Sequence, residues 1–277
     1  MGEDTAQLDD YSVGNRALRF PGRAGCAAAT HFREQTANSA RICGMGTSPS
    51  VVMENVAAVQ ERVAQAAARA GRKAADVTIV GVSKTFPAER VREAFELGIR
   101  HFGESRVQEW ESKAPVVEDL AATWHLVGHL QRNKAARAIG LFHTIDSLDT
   151  LPLAEKLNHA AGEGRRLPVL IEVRLDPTVT KAGCDPAELS RLVEGVLLMP
   201  RLELRGLMTV PELTVDPQQA RPVFRRLRAM RDAVSQQFHC ELPELSMGMS
   251  RDFEIAIVEG ATQIRVGTAL FGARHSR

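Results

Sequence analysis

The chain is poor in aromatic residues, with one tyrosine and two tryptophans in 277 residues, and its formal net charge is only +1. With no long basic run and no cluster of aromatic and basic side chains, nucleic acid is not expected as the main partner. The four cysteines, Cys26, Cys43, Cys184 and Cys240, are far apart and show neither C-x-x-C nor zinc-ligand spacing. Isolated thiols without a disulfide are therefore expected, in a reducing, cytoplasmic compartment. No apolar run approaches the roughly 18 residues of a membrane span. The amino terminus carries Glu3, Asp4, Asp9 and Asp10 where a secretory leader would be basic. Also lacking are a G-x-G-x-x-G after the first strand pattern and a G-x-x-x-x-G-K-[ST], which removes support for dinucleotide and P-loop sites. What is present, 44% hydrophobic and 25% charged residues, suffices for one sizeable core. A small-molecule ligand is the partner class that remains.

Residues 1–50 mix Gly, Ala, Arg, Thr and Ser without helical or strand period and end in Gly44, Gly46, Ser48, Pro49 and Ser50, the composition of a disordered extension and linker. From Val51 onward the pattern changes. Val52, Val56, Val59, Val63, Ala66 and Ala70 recur at steps of four and three, predicting an amphipathic helix closed by Gly71. Strand patterns at 77–83, 100–103, 123–127, 143–146, 168–174, 204–208, 244–246 and 263–266 then alternate with amphipathic stretches near 88–98, 105–113, 132–140, 149–161, 186–198, 217–237 and 252–259. Such alternation implies parallel pairing through right-handed crossovers. Eight strands over about 200 residues fit a closed (β/α)8 barrel, with an open doubly wound sheet as the alternative. The expected organisation is thus a disordered 1–50 followed by a barrel at 51–277.

Lys84 closes the first strand pattern, and Thr85-Phe86-Pro87 turns the chain into the next helix. In a parallel α/β fold, that edge of the sheet is where ligands bind. An amine there, partly desolvated, has a lowered pKa and can attack an aldehyde to form a Schiff base. A lysine that merely ends a strand and reaches water fits the same segment. Ser246-Met247-Gly248-Met249-Ser250 follows the seventh strand and opens a helix with Ser250 as a candidate N-cap, and Arg265-Val266-Gly267-Thr268 ends the eighth. In barrels of this kind the ends of strands seven and eight commonly hold a phosphate. Helix amides, hydroxyls and a glycine permitting close backbone approach suit that role, although an ordinary strand-to-helix turn has the same residues. An aldehyde-reactive lysine together with a phosphate cradle points to pyridoxal phosphate.

The motifs G-V-S-K-T at 81–85, H-F-G-E-S-R-V-Q-E at 101–109, W-H-L-V-G-H-L-Q-R-N-K at 124–134, H-T-I-D-S-L at 143–148, L-R-G-L-M at 204–208, L-S-M-G-M-S-R-D-F at 245–253 and R-V-G-T-A-L-F-G-A-R at 265–274 resemble, in order, the YggS/PROSC family of pyridoxal phosphate homeostasis proteins. The resemblance implies a TIM barrel like the N-terminal domain of alanine racemase, with the cofactor held as a reversible Schiff base on Lys84. It also implies phosphate contacts from Ser246, Gly248, Met249, Ser250, Gly267 and Thr268. Arg265 would lie beside the pyridine nitrogen, and Ser105, Asn133 and Met208 would be further contacts. Where the family commonly reads G-E-N, this chain has Gly103-Glu104-Ser105.

An arginine beside the pyridine nitrogen is a permanent donor and weakens the ring as an electron sink. The racemase of this fold resembles a two-base enzyme whose second base is a tyrosine of a separate domain. The single tyrosine here is Tyr11, in the presumed disordered segment, and the chain ends within ten residues of 265–268. The reading that follows is a carrier without robust racemase activity, which holds and supplies vitamin B6 cofactor to apo-enzymes as a monomer. A pyridoxal phosphate-dependent racemase or lyase is the alternative, and a sugar-phosphate barrel with an aldolase-type Lys84 a third. His125 and His129 lack a further ligand at metal spacing. Asn133 and Lys134 fit either a cofactor contact or a helix cap. Lys181-Ala182-Gly183 and the arginines of 217–237 read as solvated.

Overall fold

A computed structural model of the chain describes residues 50–164, 166–176, 182–212 and 215–273. Apart from Ser50, the expected disordered segment lies outside the described residues, as do Tyr11, Cys26, Cys43 and Lys181. Eight strands form one closed parallel barrel in sequence order: β1 Thr78–Val82, β2 His101–Glu104, β3 Thr123–Leu126, β4 Thr144–Leu148, β5 Leu167–Glu172, β6 Leu202–Met208, β7 Glu244–Ser246 and β8 Gln263–Val266. The crossovers are α2 Ala88–Glu96, α3 Val107–Val117, α4 Ala135–Leu141, α5 Leu151–Ala160, α6 Leu189–Leu197, α7 Arg221–Phe238 and α8 Phe253–Val258, preceded by α1 Val51–Arg69 and followed by α9 Thr268–Phe271. The open-sheet alternative is thereby excluded, since β1 pairs with β8 as well as with β2.

Helix α9 has only four residues and cannot cover β8 and β1 alone. Helix α1 fills that part of the outer layer by packing on α8 and α9. Asn55 Nδ2 donates to the Leu270 carbonyl at 3.1 Å, and Arg62 pairs with Glu254 at 2.6 Å. Ser50 belongs to this helix and not to a linker: its hydroxyl caps α1 by accepting from the Met53 amide at 3.1 Å. Gly71, read as a helix stop, has positive φ, as do Gly98 and Gly260 just past the ends of α2 and α8.

The strands have two faces of different character. Phe102, Trp124, Ile145, Leu207, Leu245 and Ile264 join the apolar layer between barrel and helices. The opposite face is polar toward its middle: Gln263 on β8 donates to Asp146 on β4 at 2.7 Å. Those strands are not neighbours, so this bond crosses the lumen. At Gly206 an added Cβ would come within 1.8 Å of the Glu244 carbonyl oxygen, so the pairing of β6 with β7 requires glycine there.

Candidate functional site

Alternate residues along β1 continue the lumen side, and Lys84 lies two residues beyond its last residue, Val82. It sits in a turn over 83–86 closed by the Phe86 amide on the Ser83 carbonyl at 3.0 Å. Lys84 is partly buried. Thr85 adopts the left-handed region, with φ 68, which non-glycine residues seldom enter. Because the barrel closes β8 onto β1, Arg265 pairs with Val80, and a Cβ on Gly267 would lie 3.3 Å from the Val82 carbonyl oxygen. The segment 265–268 therefore runs beside the lysine turn.

Arg265 is almost wholly buried, and its guanidinium donates to Ser246 Oγ at 2.6 Å and to the Thr209 carbonyl at 2.8 Å. Ser246 Oγ also accepts from Gln263 at 2.9 Å. Gln263 leads to Asp146, which accepts from Thr144 at 2.8 Å and from His125 Nδ1 at 3.0 Å. His125 Nε2 lies 3.0 Å from His101 Nδ1. Burial, aided by His125, pushes His101 down to about 4, so this end of the chain of contacts is neutral at physiological pH. Burial of Asp146 works against its charge, but His125 and the other donors prevail and hold its carboxyl below the usual range. Burial lowers the Arg265 pKa, opposed by Asp146, Glu172 and Asp252. Glu172, at the end of β5, is pushed up to about 7 by burial, which Arg265 only partly offsets.

The two candidate phosphate segments meet, since the Ala269 amide donates to Ser250 Oγ at 3.3 Å. Ser250 thus bridges to α9 and is not the N-cap of α8. Asp252 occupies that position and turns its carboxylate back onto the Met249 amide at 2.6 Å. Gly248 takes φ 93, and its carbonyl accepts from the Arg265 amide at 3.0 Å. Among the described residues, the amides of Ser250, Gly267 and Thr268 have no protein acceptor. Together with the hydroxyls of Ser250 and Thr268, they form a donor set suited to an anion. Met208 is buried at the end of β6 outside the main apolar layer, and Ser105 follows β2 with its backbone against Gly128. Asn133 is exposed in a short 3-10 turn, and Lys134 occupies the N-cap position of α4 without a side-chain cap bond.

Three groups given no role by the sequence motifs lie at this end of the barrel: Glu172, Lys113 and Glu104. Lys113 Nζ bonds the Ser83 carbonyl at 2.7 Å and Glu104 at 2.8 Å. A separate cavity of about 510 Å³ between the β4–α5 and β5–α6 connections is lined by Asp149, Arg174, Cys184 and Arg191, and contains none of the predicted site residues. His129 pairs with Asp149 at 3.1 Å. Among the described residues, no group of three or more His, Cys, Asp and Glu is placed to hold a metal ion, and no helix is long and apolar enough to cross a membrane.

A closed parallel barrel with a lysine turn beside β8 and anion donors after β7 and β8 defines a protein of the alanine racemase N-terminal domain class, whose family model matches residues 55–275. The pyridoxal phosphate homeostasis protein of Aquifex aeolicus (strain VF5) is 42% identical over 222 residues, covering 80% of this chain and 97% of that protein. The one from Pseudomonas aeruginosa is 42% identical over 226 residues, covering 81% and 96%. Among solved structures, PipY of Synechococcus elongatus PCC7942 with PLP bound superposes with a TM-score of 0.71 at 39% identity, covering 80% of this chain and all of that one. The chain belongs to the family of pyridoxal phosphate homeostasis proteins.

Proposed function

We propose that this chain binds pyridoxal phosphate reversibly at Lys84 and serves in cytoplasmic vitamin B6 homeostasis, as a monomer that supplies the cofactor to apo-enzymes. The observation that carries the reading is the adjacency of the Lys84 turn to a buried arginine and to the open amides of Ser250, Gly267 and Thr268. These residues fit the cofactor on chemical grounds: an amine for an aldehyde, convergent amides and hydroxyls for a phosphate, and a cation for a ring nitrogen. The cofactor, when bound, supplies an aldehyde that condenses reversibly with a primary amine.

Lys84 offers that amine. Ser250, Gly267 and Thr268 bind the phosphate through amides and hydroxyls, with Gly248 shaping the loop, Met249 flanking it and Ser246 anchoring Arg265. Met208, Ser105 and Asn133 are further contacts. Arg265 is donor-only, so a pyridine nitrogen set against it accepts a hydrogen bond and stays unprotonated. This disfavours broad carbanion chemistry, and no tyrosine stands among the described residues to serve as a second base, which favours carriage over racemisation. Isolated cysteines agree with a reducing compartment.

The test is the visible spectrum of the loaded protein before and after borohydride reduction, followed by peptide mapping. Label on Lys84, and loss of the visible band in Lys84→Ala, are expected. Robust racemisation of amino acids abolished by Lys84→Ala would reject the carrier reading.

A further inference from the structure

Lys84 is one of two lysines at this end of β1, and the other is Lys113. Lys113 on α3 is nearly buried and is held by three acceptors: the Ser83 carbonyl at 2.7 Å, Glu104 at 2.8 Å and Glu109 at 3.1 Å. An ammonium has three protons, and here each has an acceptor. Lys113, Glu104 and Glu109 between them hold both neighbours of Lys84. Ser83 is held at its hydroxyl, which donates to Glu104 Oε1 at 2.7 Å, and at its carbonyl by Lys113. Thr85 is held at its amide, which donates to Glu109 Oε1.

We propose that Glu104, Lys113 and Glu109 are positioning residues for Lys84, fixing from the helix side the turn that presents its amine to the mouth. The proposal rests on the assignment of Lys84 as the cofactor lysine. Two observations carry it. Thr85 sits at φ 68 without being glycine, a conformation that persists only where surrounding contacts impose it, and its amide is held by the Glu109 carboxylate. Glu104 is wholly buried with Oε2 unpartnered. An ion pair with an unsatisfied buried oxygen is a poor source of stability, so its role is better accounted for by what it holds in place. Glu109 is kept below the usual carboxylate range, where burial is outweighed by the Thr85 amide and Lys113. Burial pushes the Glu104 carboxyl the other way, above its usual range, opposed by Lys113 and the Ser83 hydroxyl.

The experiment uses the full chain with Glu109→Gln and Lys113→Met, and two ligands: pyridoxal 5′-phosphate, and pyridoxine 5′-phosphate, which has the ring and phosphate but no aldehyde. Binding is followed by absorbance and calorimetry, and the turn is followed by amide hydrogen exchange in the cofactor-free protein. Glu109→Gln is expected to weaken pyridoxal phosphate about tenfold, because a smaller fraction of molecules presents the lysine. It should leave pyridoxine phosphate within about twofold and speed exchange at 83–86 at least about tenfold. Lys113→Met should act in the same direction. Equal weakening of both ligands, or unchanged exchange at Thr85, would overturn the proposal. Hydride label away from Lys84 in the unaltered chain would instead remove the underlying assignment, while the exchange measurement still decides whether the clamp holds the turn.

Discussion

The pH dependence of folding stability should contain two slopes that conceal one another. Glu172 is buried at the end of β5, makes no hydrogen bond or ion pair through its side chain to any described residue, and is raised from 4.5 to about 7 by burial, with Asp149 adding to the rise and Arg265 opposing it. His101, at the start of β2, is lowered from 6.5 to about 4 by burial and His125. At about 1.4 kcal/mol per pKa unit, each displacement corresponds to roughly 3 kcal/mol. The signs are opposite. The folded chain binds a proton at Glu172 more tightly than the unfolded chain does, so this contribution is full below 4.5 and is lost as pH rises through 7. It binds a proton at His101 less tightly, so that contribution is full above 6.5 and is lost as pH falls through 4.

In the parent chain the two nearly cancel between pH 4.5 and 6.5. Glu172→Gln should uncover the histidine slope, with stability rising by roughly 3 kcal/mol from about pH 4 to about pH 6.5 and exceeding the parent by a similar amount at about pH 8. His101→Gln should uncover the carboxyl slope, falling by roughly 3 kcal/mol from about pH 4.5 to about pH 7. The two residues lie toward opposite ends of the barrel, so the double variant should be additive and flat. Urea midpoints of the cofactor-free chain across this range, at constant m, provide the measurement. Curves for Glu172→Gln and the parent that run parallel from pH 4 to 8 would refute the reasoning.

Two further substitutions probe the lumen and the loop after β7. Asp146→Ala removes the acceptor of His125, Thr144 and Gln263 at once, and urea unfolding should show a loss of roughly 3 to 5 kcal/mol, the cost of stranding buried polar partners. Gly248→Ala places a Cβ 2.6 Å from that of Ala256 at φ 93, and a fall of about 1 to 3 kcal/mol in the same assay is expected from the backbone strain and overpacking together.

Strand positions were legible because parallel strands covered on both faces leave near-continuous apolar runs. The patterns at 244–246 and 263–266 coincide with β7 and β8, and the others differ by a residue or two at their ends. Glycines at 71, 98 and 260 marked helix ends for a local reason, their positive φ. Lys84, Arg265 and the 246–250 loop could be picked out because each lies at a strand end. The clamp around Lys84 could not. Glu109 and Lys113 are four apart, a visible helical pair, but Glu104 reaches Lys113 from β2 and Ser83 from the turn after β1. Nor does spacing reveal that Gln263 meets Asp146 across 117 residues. The available signal was parity: His101, His125 and Asp146 are polar residues within runs otherwise apolar enough to be buried strands. Ser250 was misread as a cap because a serine before a helix has two uses, and only the position of α9 decides between them.

The arrangement of cations at the mouth argues for a binding site tuned by enclosure and not by depth alone. Arg265 is the most deeply buried of the three cations, yet a guanidinium keeps its proton, so burial there supplies a fixed donor whose direction is set by Ser246 and Thr209. Lys113 is nearly as enclosed, and two carboxylates and a carbonyl accept from its amine. A lysine becomes a useful nucleophile only where desolvation is not cancelled by neighbouring anions. Lys113 engages Glu104 and Glu109 in hydrogen-bonded contacts on the helix side of the sheet. The same contacts restrain the turn that carries Lys84, through Ser83 and Thr85.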